Sequence, residues 1–596
     1  MRSGPRCGVV VLLVEVLRLM PIRKPPADPQ TTCRKEVYMR QETRRKTSDS
    51  LPQHLMSSSD KLEAEYQQTR PDLEYINGAA LPSQAHNARY PSQASSVRYS
   101  SSRRSLWTFV RLSQFFTLLS FADQDKMKVT PTSLLLTAAF SAGVEARPYT
   151  QSRQVTDSVF GPDQLRSFTA STAVSMEVVM GKKKSHTEAN IAAGVYDLDR
   201  YEKVGATPCV NGTAGEYSCD SVDLMGFLRH QDMGSRERVG NDVWGWTSAD
   251  GREFGAVGQT DGTAFVEVKS DGSLVYLGRL PTQTVASTWR DMKVIKNHIY
   301  VGSEAPDHGL QIFDMRKLLS IDPEHPVTFS LNSLTARFSG FGSSHNIVAN
   351  EETDMIYAVG TARSLKCRGG LWMVDVSNPA RPQDAGCVSS DGYTHDAQCV
   401  IYTGPQEAYY GREICFNYNE DALTIVDVTR KGMPRQLSRT TYNGVTYTHQ
   451  GWLANKEMTY LLLDDELDEQ LMNGPAADQR TTTYVVDISD LTYPVFRSVY
   501  KSPVKAIDHN QYVIDGLSYQ SNYGSGLRIV DVSSVAADDT AAGFRQVAYF
   551  DCRPEDDAVG GEATFDGSWS VYPYFKSGYI LLNSIERGVF SLKSRV

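Results

Sequence analysis

The chain lacks two features that would place it in common classes. Its 61 Lys and Arg are outnumbered by 70 Asp and Glu, which gives a formal net charge of −9. A general nucleic-acid binder needs an excess of basic residues for phosphates, so no nucleic-acid partner is expected. No segment approaches the roughly 18 apolar residues that a membrane span requires, and we expect no stable membrane anchor.

Sequence motifs of common catalytic and metal sites are also missing. There is no G-x-S-x-G elbow, Walker A loop, H-E-x-x-H pair or EF-hand loop in a suitable context. The nine Cys include no C-x-x-C spacing that would indicate a zinc finger. The sequence therefore names no reaction.

What the sequence does contain is a set of closely spaced Cys pairs. Such pairs favour local disulfides, which form in oxidising compartments. The expected disulfides are Cys209–Cys219, Cys367–Cys387 and Cys399–Cys415. Cys552 is left over and is expected to be a buried free thiol.

The first 126 residues differ in composition from the rest. They carry 19 Lys and Arg against 12 Asp and Glu, and residues 24–105 are rich in Ser, Arg, Gln and Pro. Such a segment cannot bury enough apolar surface to fold, so a disordered leader is predicted over 1–126. We interpret it as a gene-model extension.

A secretory signal peptide is predicted over residues 127–146. Met127 begins MKVTPTSLLLTAAFSAGVEA, which has a basic start, an apolar segment and a small-x-small cleavage site. An apolar core segment or an uncleaved signal anchor remain alternatives. Residues 147–200 are then a linker or pro-segment that includes the Lys182–Lys184 run. Asn211 heads an N-glycosylation sequon, which together with the paired Cys favours a secreted, extracellular glycoprotein.

A repeat of roughly 50 residues runs from about residue 240 to the C-terminus. Its alternating strands are GLQIFDM (309–315), GLWMVDV (370–376), ALTIVDV (422–428), TTYVVDI (482–488) and GLRIVDV (526–532). Each closes on an Asp before a turn, a place where the carboxylate can accept backbone N–H bonds. A multi-strand repeat of this length predicts a β-propeller.

Seven blades of four strands are expected over residues 201–596. Seven markers, such as SHNIV (344–348) and THQGW (448–452), alternate strictly with the repeated strands. The last blade runs out of chain after its third strand, and a propeller needs circular closure. The segment VDLMGFL (222–228) is predicted to complete that blade. The fold class is thus all-β, behind a disordered N-terminal extension.

At this point the sequence resembles the LVIVD-repeat proteins, also called choice-of-anchor B proteins. Besides the repeated strands, the blocks GYTHDAQCVIYTGP, EICFNYNEDALTIVDVT, LLLDDELDE and SWSVYPYF match that family in order over about residues 205–596. The resemblance implies extracytoplasmic propellers, often held at surfaces by C-terminal anchors. It implies no reaction.

The markers place polar residues in two rings at the start of the blades' first strands. The candidates for a channel ligand or metal are His345, His395, His449, His509, Asp242, Asp291, Asp396 and Asp508. Either each His hydrogen-bonds within its own blade and locks the link between blades, or the imidazoles and carboxylates converge on a ligand. Both interpretations remain open.

A second candidate is the acidic block LDDELDE at 463–469. Its carboxylates are either solvated in a loop or positioned to capture calcium through Asp464, Asp465 and Glu466.

We therefore predict a secreted binding or scaffold propeller. Its ligand at the channel mouth would be a metal ion, a small polar molecule or a surface glycan, and its partners an extracellular glycan or protein. The alternative is a metal-dependent hydrolase or lyase with Asp396 or Asp508 as general base. A divalent metal, Ca, Zn or Mn, is the possible cofactor. The oligomeric state stays open.

Overall fold

The computed structural model describes residues 173–596. The predicted leader (1–126), the predicted signal peptide (127–146) and the first part of the predicted linker (147–172) lie outside the described residues. Among the described residues, no helix is both long and apolar enough to cross a membrane.

The described chain is almost entirely β-structure. Its first sixteen strands are β1 (Thr213–Ala214), β2 (Tyr217–Asp220), β3 (Val222–Arg229), β4 (Gly240–Thr247), β5 (Glu253–Gln259), β6 (Gly262–Val268), β7 (Leu274–Pro281), β8 (Arg290–Ile295), β9 (His298–Ser303), β10 (Leu310–Asp314), β11 (Val327–Thr328), β12 (Ala336–Phe338), β13 (Asn346–Asn350), β14 (Met355–Val359), β15 (Trp372–Asp375) and β16 (Gln383–Cys387).

The remaining strands continue to the C-terminus. They are β17 (Asp396–Ile401), β18 (Glu413–Asn419), β19 (Ala422–Asp427), β20 (Arg435–Thr440), β21 (Thr448–Leu453), β22 (Tyr460–Asp465), β23 (Arg480–Asp487), β24 (Val495–Lys505), β25 (Asn510–Ile514), β26 (Leu517–Ser521), β27 (Leu527–Asp531), β28 (Arg545–Phe550), β29 (Ser568–Tyr572), β30 (Tyr579–Ser584) and β31 (Gly588–Ser594). Helix α1 spans Met176–Ala192 and the short α2 spans Asp468–Leu471. Short 3-10 helices occupy several connections.

These strands form seven antiparallel blades, as predicted. In chain order, blade 1 is β4–β7, blade 2 is β8–β10 with β12, blade 3 is β13–β16, blade 4 is β17–β20, blade 5 is β21–β24, blade 6 is β25–β28 and blade 7 is β29–β31 with β3. The first strand of each blade contacts the first strand of the next, and β29 contacts β4, so the ring is complete. The blades therefore surround a central channel lined by their first strands.

Residues from the N-terminal side complete blade 7 and extend blade 6. Strand β3 pairs with β31 from Val222 opposite Ser594 to Arg229 opposite Gly588. Just before it, β2 pairs with the outer strand of blade 6. Gly588 has a φ of +142°, and a Cβ there would stand 2.1 Å from the Leu228 carbonyl oxygen. Only glycine fits so close to the closing strand in this backbone conformation.

The core consists of apolar layers between neighbouring blades. Between blades 4 and 5, for example, Phe416 and Ile425 lie in one buried cluster with Leu461, Tyr484 and Val486. The alternation of apolar residues along each strand presents such faces to both neighbours. A blade therefore depends on the next for its burial, which makes the ring one cooperative structure.

The repeated Asp at the end of the third strand has the structural role that the sequence predicts. In five blades its carboxylate accepts a hydrogen bond from the backbone N–H two residues later. The acceptors are Asp314, Asp375, Asp427, Asp487 and Asp531. The bond begins the turn toward the fourth strand, so this Asp is not part of a ligand site.

All three expected disulfides are present. They join Cys209 to Cys219, Cys367 to Cys387 and Cys399 to Cys415. The last pair lies directly opposite across β17 and β18 in blade 4. Asn211, in the loop of the first disulfide, is exposed.

Cys552 is a buried free thiol, and burial raises its pKa well above the ordinary value. Because the thiolate is the reactive form, we expect iodoacetamide at pH 8 to leave Cys552 unmodified in the folded protein and to alkylate it in urea. Peptide mass mapping around residue 552 measures the difference. Equal modification in both conditions would contradict the burial.

Helix α1 lies within residues 147–200, which the sequence treats as a linker or pro-segment. The start of the helix and the residues before it are anchored on blades 4 and 5. Val174 N donates to Thr446 O at 2.9 Å, and Met176 N donates to Glu420 at 2.6 Å. A linker or processing site would leave the Lys182–Lys184 run in solvent, but Lys183 at its centre is only 3% exposed. The helix therefore covers part of the propeller surface.

Candidate functional site

The channel has different chemistry at its two ends. The four candidate His stand at or just before the start of β13, β17, β21 and β25. Three to four residues further along the first strands stand aromatic residues such as Trp244, Trp452 and Tyr512. At roughly 3.3 Å per residue, these positions are about 10 Å apart along the channel.

The structure brings the four candidate His together, in what we call the imidazole cluster: His345, His395, His449 and His509. Successive ring centroids are 4.3, 4.0 and 4.5 Å apart, and all four side chains are buried. Each ring comes from the same position of four successive blades. The repeat therefore generates the cluster directly.

Three of these imidazoles contact neighbouring blades, and they are those of His345, His395 and His509. His345 Nδ1 lies 3.1 Å from Glu304 of blade 2. His395 Nδ1 lies 2.9 Å from the carbonyl oxygen of His449, and His509 Nδ1 lies 2.5 Å from that of Trp569. A carbonyl only accepts, so Nδ1 carries the proton and Nε2 of each neutral ring keeps its lone pair. Burial lowers the pKa of both imidazoles well below the ordinary value, which keeps them neutral. The bonds of His395 and His509 run to the next blade, so the own-blade interpretation is wrong for these two.

Glu466, at the end of the acidic block, faces the cluster. Its carboxylate oxygens lie 3.8 Å from His449 Nε2 and 3.6 Å from His509 Nε2. Tyr523 donates a hydrogen bond to it at 2.6 Å. Three imidazole nitrogens do not converge on one point. Instead, His449, His509 and Glu466 each offer one ligand atom, all within 4.8 Å of one another.

The Lys183 side chain of α1 enters this end of the channel. Its ammonium forms an ion pair with Glu466. The same ammonium lies 5.0 Å from the Trp569 ring centroid and 5.6 Å from that of Phe565. Burial lowers the pKa of Lys183, and the charge of Glu466 opposes that shift. An ammonium thus stands where the sequence predicts a metal.

Polar contacts at its other residues hold α1 in place. His186 Nε2 and Asn190 Nδ2 lie 2.6 and 2.8 Å from the same oxygen of Asp566. Arg363 pairs with Glu177 in the first turn. The helix therefore closes the imidazole end of the channel, so this end is not the open mouth that the sequence predicts.

The candidates Asp242 and Asp291 join blades in the wall of the channel. Asp242 accepts from Met292 N in the next blade at 3.0 Å, and Asp291 accepts from Ile347 N at 2.6 Å. The ammonium of Lys293 lies 3.6 Å from Asp242 and 3.0 Å from Asp291. Both carboxylates are thus used by the fold and by Lys293 rather than left open to a ligand.

The opposite end of the channel is an open cavity of about 410 Å³. We call it the aromatic mouth. Six aromatic side chains line it: Trp244, Trp246, Trp452, Tyr512, Tyr572 and Tyr574. The Tyr512 ring packs edge-on against Trp244 and Trp452, with centroids 5.6 and 4.9 Å away. These contacts fix the rings, so the cavity is preformed.

Asp396 is the one candidate residue that lines the aromatic mouth, together with Lys293, Glu351 and Gln398. Burial raises the pKa of Asp396 to about 7, while the charge of Lys293 opposes the rise. The hydroxyl of Tyr574 is buried without a hydrogen-bond partner in the described part of the chain. A few polar groups thus stand among aromatic faces.

The calcium candidates do not share one site. Asp464 accepts from Gln511, Asp465 accepts from the backbone of Thr446 and Tyr447, and Glu466 faces the imidazole cluster. All three are buried, so the solvated-loop interpretation is wrong. The last candidate, Asp508, is buried beside Asp464. Burial and neighbouring carboxylates raise its pKa well above the ordinary value.

The aromatic mouth is not among the sites predicted from the sequence, although the aromatic residues that form it recur in the markers. The markers NDVWGW, THQGW, DHNQY and SWSVY each carry an aromatic residue two or more positions after the polar pair. In a β-strand, residues two positions apart point to the same face, so each of these aromatic side chains can share a face with the polar residue two positions before it. The aromatic residues therefore follow from the same periodicity as the rings of His and Asp.

Comparison with known families identifies the repeat. Residues 367–389 and 476–502 match the LVIVD repeat. The first segment includes β15 and β16 of blade 3, and the second includes β23 and most of β24 of blade 5. Comparison with curated proteins finds no match. Two of the seven blades thus contain a segment that matches the LVIVD repeat.

Proposed function

We propose that this protein is a secreted propeller scaffold that binds a saccharide unit of a glycan in the aromatic mouth. The observation that carries the proposal is the cavity lined by six aromatic side chains together with a few polar groups. A sugar has apolar C–H faces that pack on aromatic rings, and hydroxyls that need a few well-placed polar partners. A preformed apolar cavity with convergent polar groups is the usual form of a small-ligand site.

Charge in the aromatic mouth favours a neutral saccharide. Lys293 and Lys296 line it together with Asp396 and Glu351, so no single sign dominates. The ammonium of Lys293 lies 4.5 Å from the centroid of the Trp244 ring and is held by carboxylates of the wall. A strongly charged ligand of either sign would be repelled by the groups here that carry the same sign of charge.

Secretion is supported by three disulfides and by an exposed sequon at Asn211. Disulfides persist in extracellular compartments and are rare in the cytosol. The resemblance to choice-of-anchor B proteins adds the expectation of an extracytoplasmic location. The signal peptide over 127–146 remains a prediction.

The test uses full-length protein recovered from the medium of expressing cells and an array of immobilised neutral and acidic oligosaccharides. We expect binding to neutral members, and a loss of at least about tenfold in Trp452→Ala, since a packed aromatic ring supplies about 1.4 kcal/mol or more. Tyr493→Ala is the matched control, because Tyr493 is 73% exposed outside the mouth.

Three results would contradict this proposal. They are failure of the protein to reach the medium, absence of binding to every saccharide on the array, and equal binding by Trp452→Ala and the unmodified protein. Circular dichroism of both variants establishes that they remain folded.

A further inference from the structure

The imidazole cluster contains buried polar atoms that the fold leaves unused. The Nε2 atoms of His449 and His395 have no hydrogen-bond partner within residues 173–596, and neither has the second oxygen of Glu466. His449 and Glu466 are at most 1% exposed. Buried polar atoms normally find partners, because an unpaired one costs about 1–3 kcal/mol. Several unpaired buried atoms in one cluster indicate that the cluster accommodates a group that binds lone pairs.

The donor set matches a transition metal. His449 and His509 offer neutral nitrogen and Glu466 offers a carboxylate oxygen. Two ligands about 2.0–2.1 Å from a tetrahedral zinc ion stand roughly 3.4 Å apart. The oxygens of Glu466 lie 3.8 Å from His449 Nε2 and 3.6 Å from His509 Nε2. With one ligand atom from each residue, the three atoms lie within 4.8 Å of one another, so side-chain adjustments of about 1 Å would bring them to one ion.

The hydrogen bonds that hold His509 and Glu466 also suit a metal site. The Nδ1–H of His509 donates to the Trp569 carbonyl, which orients the ring and leaves Nε2 free to bind. The hydroxyl of Tyr523 donates to Glu466 and fixes that carboxylate. Metal-bound imidazoles and carboxylates are usually held by such hydrogen bonds.

We propose that His449, His509 and Glu466 form a site for a divalent transition metal such as Zn²⁺, and that Lys183 occupies this site as a tethered cation. The ion pair between the Lys183 ammonium and Glu466 places one positive charge where a metal would carry two. The two cations exclude each other, because they share Glu466 and repel. Metal binding therefore requires Lys183 to leave.

Helix α1 can be displaced without opening the propeller. Of its residues only Met176, Val179 and Lys183 are buried, and the strands of all seven blades lie outside it. Movement of the helix away from the blades would expose the site. This site lies at the opposite end of the channel from the aromatic mouth, so the two proposals are independent.

The test is a Zn²⁺ titration of full-length protein by isothermal calorimetry, with Co²⁺ absorption as a second readout of nitrogen ligation. We expect Lys183→Met, which keeps most of the side-chain volume, to bind Zn²⁺ at least tenfold more tightly than the unmodified protein. Lys182→Ala is the matched control, since its ammonium binds Gln470 on the outer surface. It should leave the affinity unchanged.

Adding His449→Ala to Lys183→Met should abolish the gained affinity and the Co²⁺ spectrum. Equal affinity of Lys183→Met and the unmodified protein would overturn the proposal, as would tight binding that survives His449→Ala. If Lys183→Met unfolds, the same titration after proteolytic removal of α1 decides the question. Zn²⁺ should then raise the melting temperature of the cleaved protein only when His449 is present.

Discussion

Removing residues 1–229 should prevent the propeller from folding as a monomer. Strand β3 covers β31 and buries Val222, Leu224 and Phe227 against blade 7. At about 1.5–3 kcal/mol for each of these three buried side chains, its loss removes roughly 5–9 kcal/mol, which is comparable with the whole net stability of a domain. The uncovered edge of β31 would pair with other chains. Size-exclusion chromatography should show aggregates.

The matched control begins at residue 201. This chain loses α1 but keeps β2, β3 and the disulfide between Cys209 and Cys219, so we expect a monomer with cooperative urea unfolding. A synthetic peptide of residues 201–229 should restore the monomer to the shorter chain. If the chain that begins at residue 230 is itself monomeric and as stable as the control, the closing role of β3 is refuted.

The blades could be predicted because they rest on local repetition. The Asp at the end of each repeated strand accepts from a backbone N–H two residues away, as Asp427 does from Thr429 and Asp531 from Ser533. An interaction of this range depends only on residues that are close together in the sequence, so the sequence can predict it. The same regular spacing placed His345, His395 and His449 in one column, and the structure brings them together.

The closure of the imidazole end of the channel could not be predicted, because it depends on a contact between distant parts of the chain. Helix α1 has no apolar stripe, and a run of three Lys is ordinarily solvated. The burial of Lys183 follows only once Glu466, which is 283 residues later in the numbering, faces it with the rings of Phe565 and Trp569. No local pattern encodes that arrangement.

The acidic block shows the same limit. Five carboxylates within six residues resemble a solvated loop or a cation-binding loop, since charges are rarely buried. In the structure each side chain meets a different partner, such as Gln511 for Asp464 and Tyr484 for Asp468. Burial raises the pKa of Asp464 to about 8, which favours a protonated carboxyl beside Asp508. These partners lie on other strands, so the sequence of the acidic block alone does not reveal them.

Replacing Asp465 by Ala should lower the free energy of unfolding by about 3–5 kcal/mol, because buried donors lose their acceptor. The carboxylate accepts from Thr446 N and Tyr442 Oη at 2.7 Å and from Tyr447 N at 2.8 Å. Burial raises its pKa to about 6 against the effect of these donors, so at pH 7.5 it is mostly ionised and its bonds are charge-assisted. Urea unfolding at pH 7.5 measures the change.

Asp531→Ala is the matched control, since this carboxylate also caps a backbone N–H, that of Ser533, but at a half-buried turn. We expect it to cost only about 1 kcal/mol, because water can replace the lost acceptor there. Asp465→Asn should fall between the two, as one acceptor oxygen remains while its NH₂ faces other donors. If Asp465→Ala proves no more destabilising than Asp531→Ala, the carboxylate does not hold the turn that carries Tyr447 and His449 into the channel, and the geometry of the imidazole cluster must have another cause.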